Sequence, residues 1–218
     1  AWSEDEKLLV PSPHYAYQEA AIIGDDLGMM HAFQLDSGNE LWGFMPRYML
    51  ESAVAQYQNG VDNMGQPEEI DDHLYGVAAT LNHGWVWDDE AENWRHLASM
   101  GSGRGGKDFI VFDFSHMSPT HPDGPIEILW STKDPALTDD YGPLLGETWA
   151  RPALTYHIPP DDQLSSYPDA CFVMGSGYPD QPAPWPKQGR VLLQVDALTG
   201  EIRDEATIPA VDPDEVYE

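Results

Sequence analysis

Few groups in this chain have the type and spacing that chemistry needs. The run Gly101-Ser102-Gly103-Arg104-Gly105-Gly106 has the backbone freedom to present N–H groups to a phosphate. It lacks the Gly-Lys-Ser/Thr ending of a P-loop, and no helical pattern follows it. A loop joining two strands is the better reading. His31 alternates with Met30 and Ala32 in a strand pattern, which predicts a hydrogen-bonded structural histidine. His73 with Asp71 and Asp72, and His116 with His121 and Asp123, carry metal-ligating atoms. Neither set has the tight, recurrent spacing of a metal site, so solvated loops are expected. Asp88, Asp89, Glu90 and Glu92 offer the hard oxygens that calcium takes, but outside the glycine-containing loop of an EF-hand. A solvated turn is expected there. Ser176, in Gly175-Ser176-Gly177, lacks the Gly-x-Ser-x-Gly frame of a nucleophile elbow. Cys171 sits in the apolar run Ala170-Cys171-Phe172-Val173-Met174 and reads as a small core residue. No catalytic, cofactor-binding or metal-ligating residue is assigned, and a non-enzymatic protein is expected. Trp42 and Trp130 end strands, where large rings pack between sheets.

Composition limits the partners. The chain has 218 residues, with 38 acids against 10 bases and a net charge of −28. That excludes a nucleic-acid partner, which needs basic surface. Acidic surface favours solubility, cations or a basic partner, and adaptation to salt gives the same signature. Cys171 is the sole cysteine, so there is no internal disulfide framework. No run reaches the length of a transmembrane helix. The chain opens on Ala1 rather than Met and shows no secretory leader, so it is read as a mature or excised piece.

The elements that must position these residues are strands. Pro and Gly number 19 each, and eight Trp with ten Tyr suit sheets. Residues 21–45 read as a three-stranded meander: Ala21–Ile23, Met29–Leu35 and Glu40–Met45, joined by turns rich in Gly, Asp, Ser and Asn. A similar phrase returns at Gly189–Ile202, with Asp196-Ala197-Leu198-Thr199-Gly200 at its turn. A looser version runs from Lys107–Phe114 to Ile126–Trp130. Repeated small meanders are the signature of propeller blades. Between them, residues 47–58 carry apolar side chains at helical spacing and predict a short helix outside the sheets. A hairpin is expected from Trp85 to Met100, closed by the acidic turn 88–93.

The motifs have a family counterpart. Gly24-Asp25-Asp26-Leu27-Gly28-Met29-Met30-His31-Ala32-Phe33, then Asp36-Ser37-Gly38-Asn39-Glu40-Leu41-Trp42-Gly43-Phe44-Met45-Pro46, resembles the C-terminal propeller of the PilY1 family of type IV pilus biogenesis factors and tip adhesins. Three further blocks follow in family order: Met100–Lys107 leading into Val111-Phe112-Asp113, Leu145–Pro152, and Val173-Met174-Gly175-Ser176-Gly177-Tyr178. The resemblance spans about residues 18–208. Asp26-Leu27-Gly28 departs from the family's Asn-Asp-Gly order. The family's Asp-rich calcium loop has no counterpart here, so calcium is not carried over and no cofactor is evident.

The fold expectation is an all-β, partial β-propeller of the PilY1 or quinoprotein-like type. Blades run about 40–45 residues, giving roughly three to four in this length. The chain divides into an extension (1–16), a first blade (17–46), the helix and loop insertion (47–72), a second blade (73–131), further blade structure (144–208) and an acidic tail (209–218). The resemblance implies an extracytoplasmic, cell-surface role in pilus assembly and adhesion. Its implied partners are minor pilins and a host or abiotic surface. The helix at 47–58 and the loops at 59–72, 115–125 and 176–188 are the candidate contact surfaces. Two alternatives remain: a quinoprotein dehydrogenase using pyrroloquinoline quinone, and an architectural scaffold for outer-membrane assembly.

Overall fold

Short apolar strands separated by tight turns cannot bury both faces alone, so they must stack as sheets. The computed structural model shows that stack. It describes residues 2–3, 8–9, 20–25, 28–45, 49–62, 81–103, 106–115, 126–157, 169–178 and 188–207. A small ribbon pairs β1 (Trp2–Ser3) with β2 (Leu8–Leu9), within the segment read as an extension. Three antiparallel meanders follow. Sheet one holds β3 (Ala20–Gly24), β4 (Met30–Gln34) and β5 (Glu40–Phe44). Sheet two holds β6 (Asn82–Asp88), β7 (Asn93–Gly101), β8 (Phe109–Asp113) and β9 (Glu127–Ser131). Sheet three holds β10 (Ala153–His157), β11 (Asp169–Gly175), β12 (Val191–Asp196) and β13 (Ile202–Thr207). In every sheet, strand order follows chain order.

Sheet two is the middle layer. Alternate residues of β7 and β8 point to opposite faces, and both faces are buried. Ala98, Met100, Ile110 and Phe112 pack with Met30, Ala32 and Trp42 of sheet one. Leu97, Phe109, Val111 and Trp130 pack with Phe172, Met174, Leu193 and Val195 of sheet three. Face-to-face stacking of successive meanders is the propeller arrangement predicted, with three sheets among the described residues.

The repeat is exact in register. The last pair of each sheet carries a bulge, between Ala32 and Phe33, Val111 and Phe112, and Gln194 and Val195. Alignment on these bulges makes β3, β7 and β11 equivalent. Sheet one therefore has no described counterpart of β6 or β10. The same alignment superposes Trp42 on Trp130, which face the next sheet in each case. The turns match too. Gln34 N–H donates to Asn39 O and Gly38 N–H to Gln34 O, as Asp196 N–H does to Glu201 O and Gly200 N–H to Asp196 O. Gly38 and Gly200 are both left-handed, at φ 70° and 78°, which is why glycine closes both turns. Asp36 and Asp196, which look equivalent in the sequence, are not: the repeat aligns on the glycines.

Two elements differ from expectation. The predicted helix is real, but α1 (Met49–Asp62) runs four residues past Gln58 into the segment read as loop. The stretch 132–143, between the blades assigned from the sequence, contains a one-turn helix, α2 (Thr138–Tyr141). Tertiary contacts hold it: Tyr141 is buried and its hydroxyl donates to Gly200 O at 2.7 Å. Burial pushes the Tyr141 phenol far up, beyond ordinary titration.

Candidate functional site

Three motif blocks far apart in the chain meet at one place. The segment Leu145–Trp149 runs between the glycine loop that ends β7 and the end of β11. On one side, Ser102 N–H donates to Thr148 Oγ1 at 2.9 Å, and Gly103 N–H to Thr148 O at 3.1 Å. Thr148 Oγ1 donates in turn to Asp108 O at 2.8 Å. On the other side, Glu147 and Tyr178 exchange two backbone hydrogen bonds of 2.8 Å, and Gly146 N–H donates to Ser176 O. Ser176 Oγ accepts from Val191 N–H at 2.8 Å. Ser102, Thr148 and Ser176 are fully buried. The Ser102 and Gly103 amides are thus engaged with Thr148, and the Ser176 hydroxyl is enclosed as an acceptor. The structure makes this region a clasp between sheets two and three, beyond the strand-linking role expected of the glycine loop, which does join β7 to β8.

The clasp also explains its glycines. A Cβ on Gly101 would lie 2.4 Å from Thr148 O, and one on Gly177 would lie 2.1 Å from Glu147 O. Both clashes are with backbone, so no rotamer relieves them.

No family model matches the sequence, and no curated protein matches it. Among solved structures, the crystal structure of the Pseudomonas aeruginosa PilY1 C-terminal domain is similar, with a TM-score of 0.56 and 18% identity. The match covers 91% of this chain and 32% of that one. The fold is PilY1-like. This chain thus spans about a third of the PilY1 domain's chain, and the likeness at this identity concerns the fold. The blocks carrying the sequence resemblance, Met100–Lys107, Leu145–Pro152 and Val173–Tyr178, are the ones the clasp brings together.

The acidic turn is less solvated than its composition suggests. Asp88 is buried rather than solvent-facing, with Oδ1 accepting the N–H groups of Glu90 and Ala91. Arg95 bridges two carboxylates, with Nε 2.7 Å from Asp88 Oδ2 and Nη1 3.1 Å from Asp113 Oδ2. Burial raises the Asp88 pKa, but the Ala91 and Glu90 amides and Arg95 outweigh it, leaving the carboxyl below its usual range. These oxygens serve the hairpin. Asp89 and Glu90 are exposed, Asp89 accepting the Trp87 indole N–H at 2.7 Å. Among the described residues, no three His, Cys, Asp or Glu side chains converge as metal ligands would. His73 with Asp71 and Asp72, and His116 with His121 and Asp123, lie outside the described residues.

Trp42 and Trp130 are both buried, and Trp130 Nε1–H donates to Ala197 O at 3.0 Å. Cys171 is buried, its Sγ 3.0 Å from Thr155 Oγ1 and 3.1 Å from Gln194 Nε2. One pair escaped the sequence reading. His83 and His96 lie on adjacent strands with Nδ1 and Nε2 3.0 Å apart, and His96 stacks on Trp85. Burial, then the neighbouring His83, pushes the His96 pKa down to about 4, so it is neutral at pH 7. Cross-strand register was the only signal that could have paired them.

His31 lies on the outward face of sheet one, between two carboxylates. Nδ1 is 2.8 Å from Glu40 Oε1 and Nε2 is 3.4 Å from Asp25 Oδ2. The hydrogen bond to Glu40 leads, burial opposes it, and Asp25 adds to it. The net result raises the pKa above 6.5. Because the folded value is the higher one, protonated His31 favours folding below the unfolded pKa. That contribution disappears as pH rises through the folded value. An NMR titration is expected to place the His31 midpoint above 6.5, and Glu40→Gln should bring it down. A midpoint indifferent to Glu40→Gln would refute the assignment.

Of the contact surfaces predicted, α1 is described. Met49 is buried against Gly28 and the first core. Leu50, Val54 and Tyr57 are 49%, 65% and 72% exposed. Their i, i+4, i+7 spacing places them along one stripe of the helix, facing solvent. Most of the predicted contact loops, at 63–72, 116–125 and 179–187, lie outside the described residues.

Proposed function

We propose that this chain is a non-enzymatic propeller segment acting outside the cytoplasm in type IV pilus assembly and adhesion. Minor pilins at the pilus tip are its protein partners, and a host or abiotic surface is its target. The PilY1-like fold over 91% of the chain is the observation that carries this reading. Two features support it. The motif residues with chemical potential are engaged in structural hydrogen bonds, as Thr148 and Ser176 show. Among the described residues, no helix is long and apolar enough to cross a membrane. The α1 stripe of Leu50, Val54 and Tyr57 is the contact surface of choice, since exposed apolar helix faces dock into partner grooves.

The test is retention of purified minor pilins on the immobilised chain. Wild type is expected to retain them, and the triple variant Leu50→Ser, Val54→Ser, Tyr57→Ser to lose most of that retention while its thermal unfolding stays unchanged. Wild type that retains no pilin removes the pilus reading. Reconstitution with pyrroloquinoline quinone provides the counter-test. Dye reduction above background with an alcohol substrate would favour the quinoprotein alternative.

A further inference from the structure

The outer edges of sheets two and three enclose a cleft that the pilus reading does not use. It has a volume of about 840 Å³ and lies between β9, α2 and β13. Its floor is apolar, formed by Leu137, Leu144 and Ile202. Its rim is acidic: Asp134, Asp139, Asp140, Glu201 and Glu205. Five carboxylates among thirteen lining residues, with no Lys or Arg, is about twice the acid density of the chain, 38 in 218. The cleft therefore concentrates negative charge beyond the general acidity.

A second observation concerns the backbone. β13 is the last strand of its sheet and pairs only with β12 among the described residues. Arg203 to Thr207 are all exposed. An edge strand offers main-chain donors and acceptors to another extended chain. Its own charges decide which chain can come. Arg203 on the same strand is taken up by Asp169 and Asp196, so Asp204 and Glu205 set the sign: they repel acidic strands, including copies of this protein at net charge −28, and attract basic ones.

We propose that this cleft and the β13 edge together bind an extended, basic segment of a protein partner. The segment adds a strand to β13 through main-chain hydrogen bonds. Its alternate side chains enter the cleft, with lysine or arginine meeting the rim and an aliphatic residue covering Leu137, Leu144 and Ile202. This inference concerns a different surface from α1 and stands whether or not the pilus reading does.

Isothermal titration with a synthetic peptide alternating lysine and valine tests it. Saturable one-to-one binding is expected, weakening with added salt. The triple variant Asp139→Asn, Asp140→Asn, Glu201→Gln should weaken it about tenfold. The control triple Asp89→Asn, Glu90→Gln, Glu92→Gln, on the exposed turn of sheet two, should leave it unchanged. Backbone N-methylation of the peptide should weaken binding, because methylated amides cannot pair with the edge. Equal weakening by both triples would reduce the effect to overall charge and overturn the proposal. So would absence of saturation, indifference to N-methylation, or spermidine binding as tightly as the peptide, which would assign the cleft to small cations. All substitutions are near-isosteric, and circular dichroism of each variant checks that the fold is kept.

Discussion

Gly177→Ala is expected to destabilise the chain by about 3 kcal/mol or more, lowering its melting temperature by roughly 10 °C. Two separate costs add. The residue sits at φ 100°, a region that L side chains rarely adopt. Its Cβ would also stand 2.1 Å from Glu147 O and 2.6 Å from Glu147 C. Those atoms belong to the strand partner of Tyr178, so relief requires parting the Glu147–Tyr178 bridge and its two 2.8 Å hydrogen bonds. Gly38→Ala isolates the first cost. Gly38 is also left-handed, at φ 70°, but a Cβ there meets nothing within 4 Å. It should lose only about 1–2 kcal/mol. Urea unfolding of both variants measures the difference, and equal losses would mean that the clasp is not rigid.

The same comparison shows what could be read from the chain alone. Turn glycines, period-two alternation and the acidic hairpin turn made the three meanders legible, because each depends on residues a few positions apart. The clasp does not. Ser102 and Thr148 are 46 residues apart, and no local pattern links them. α2 was missed because Thr138–Tyr141 is too short for periodicity, and a buried tyrosine bonded to Gly200, 59 residues away, holds it. The buried Asp88 was read as solvated for a related reason: Arg95 and Asp113, which surround it, belong to other strands. The His31 reading succeeded because one partner, Asp25, lies across the adjacent turn and the other, Glu40, across the next strand.

Leu192 and Leu193 provide the second large effect, since adjacent residues on one strand should behave oppositely. Leu193 is fully buried against sheet two, whereas Leu192 is 45% exposed on the outward face of sheet three. Leu193→Ala removes buried methyl groups and leaves a cavity between two sheets that cannot close easily, at a cost of about 2–5 kcal/mol. Leu192→Ser should change stability by no more than about 0.5 kcal/mol. The bulge register gives the contrast a wider meaning. It aligns Leu193 with Ile110 and with His31. In the two sheets with a preceding neighbour this position is a core aliphatic, and in sheet one it is a histidine held by carboxylates. At the other end, Asp204 stands where Trp42 and Trp130 face the next sheet. Among the described residues, the outward faces of sheets one and three thus carry a charged or titratable side chain where sheet two carries an apolar one. Chemical denaturation of the two leucine variants tests this directly. A cost at Leu192 matching that at Leu193 would show that another element covers the outward face of sheet three.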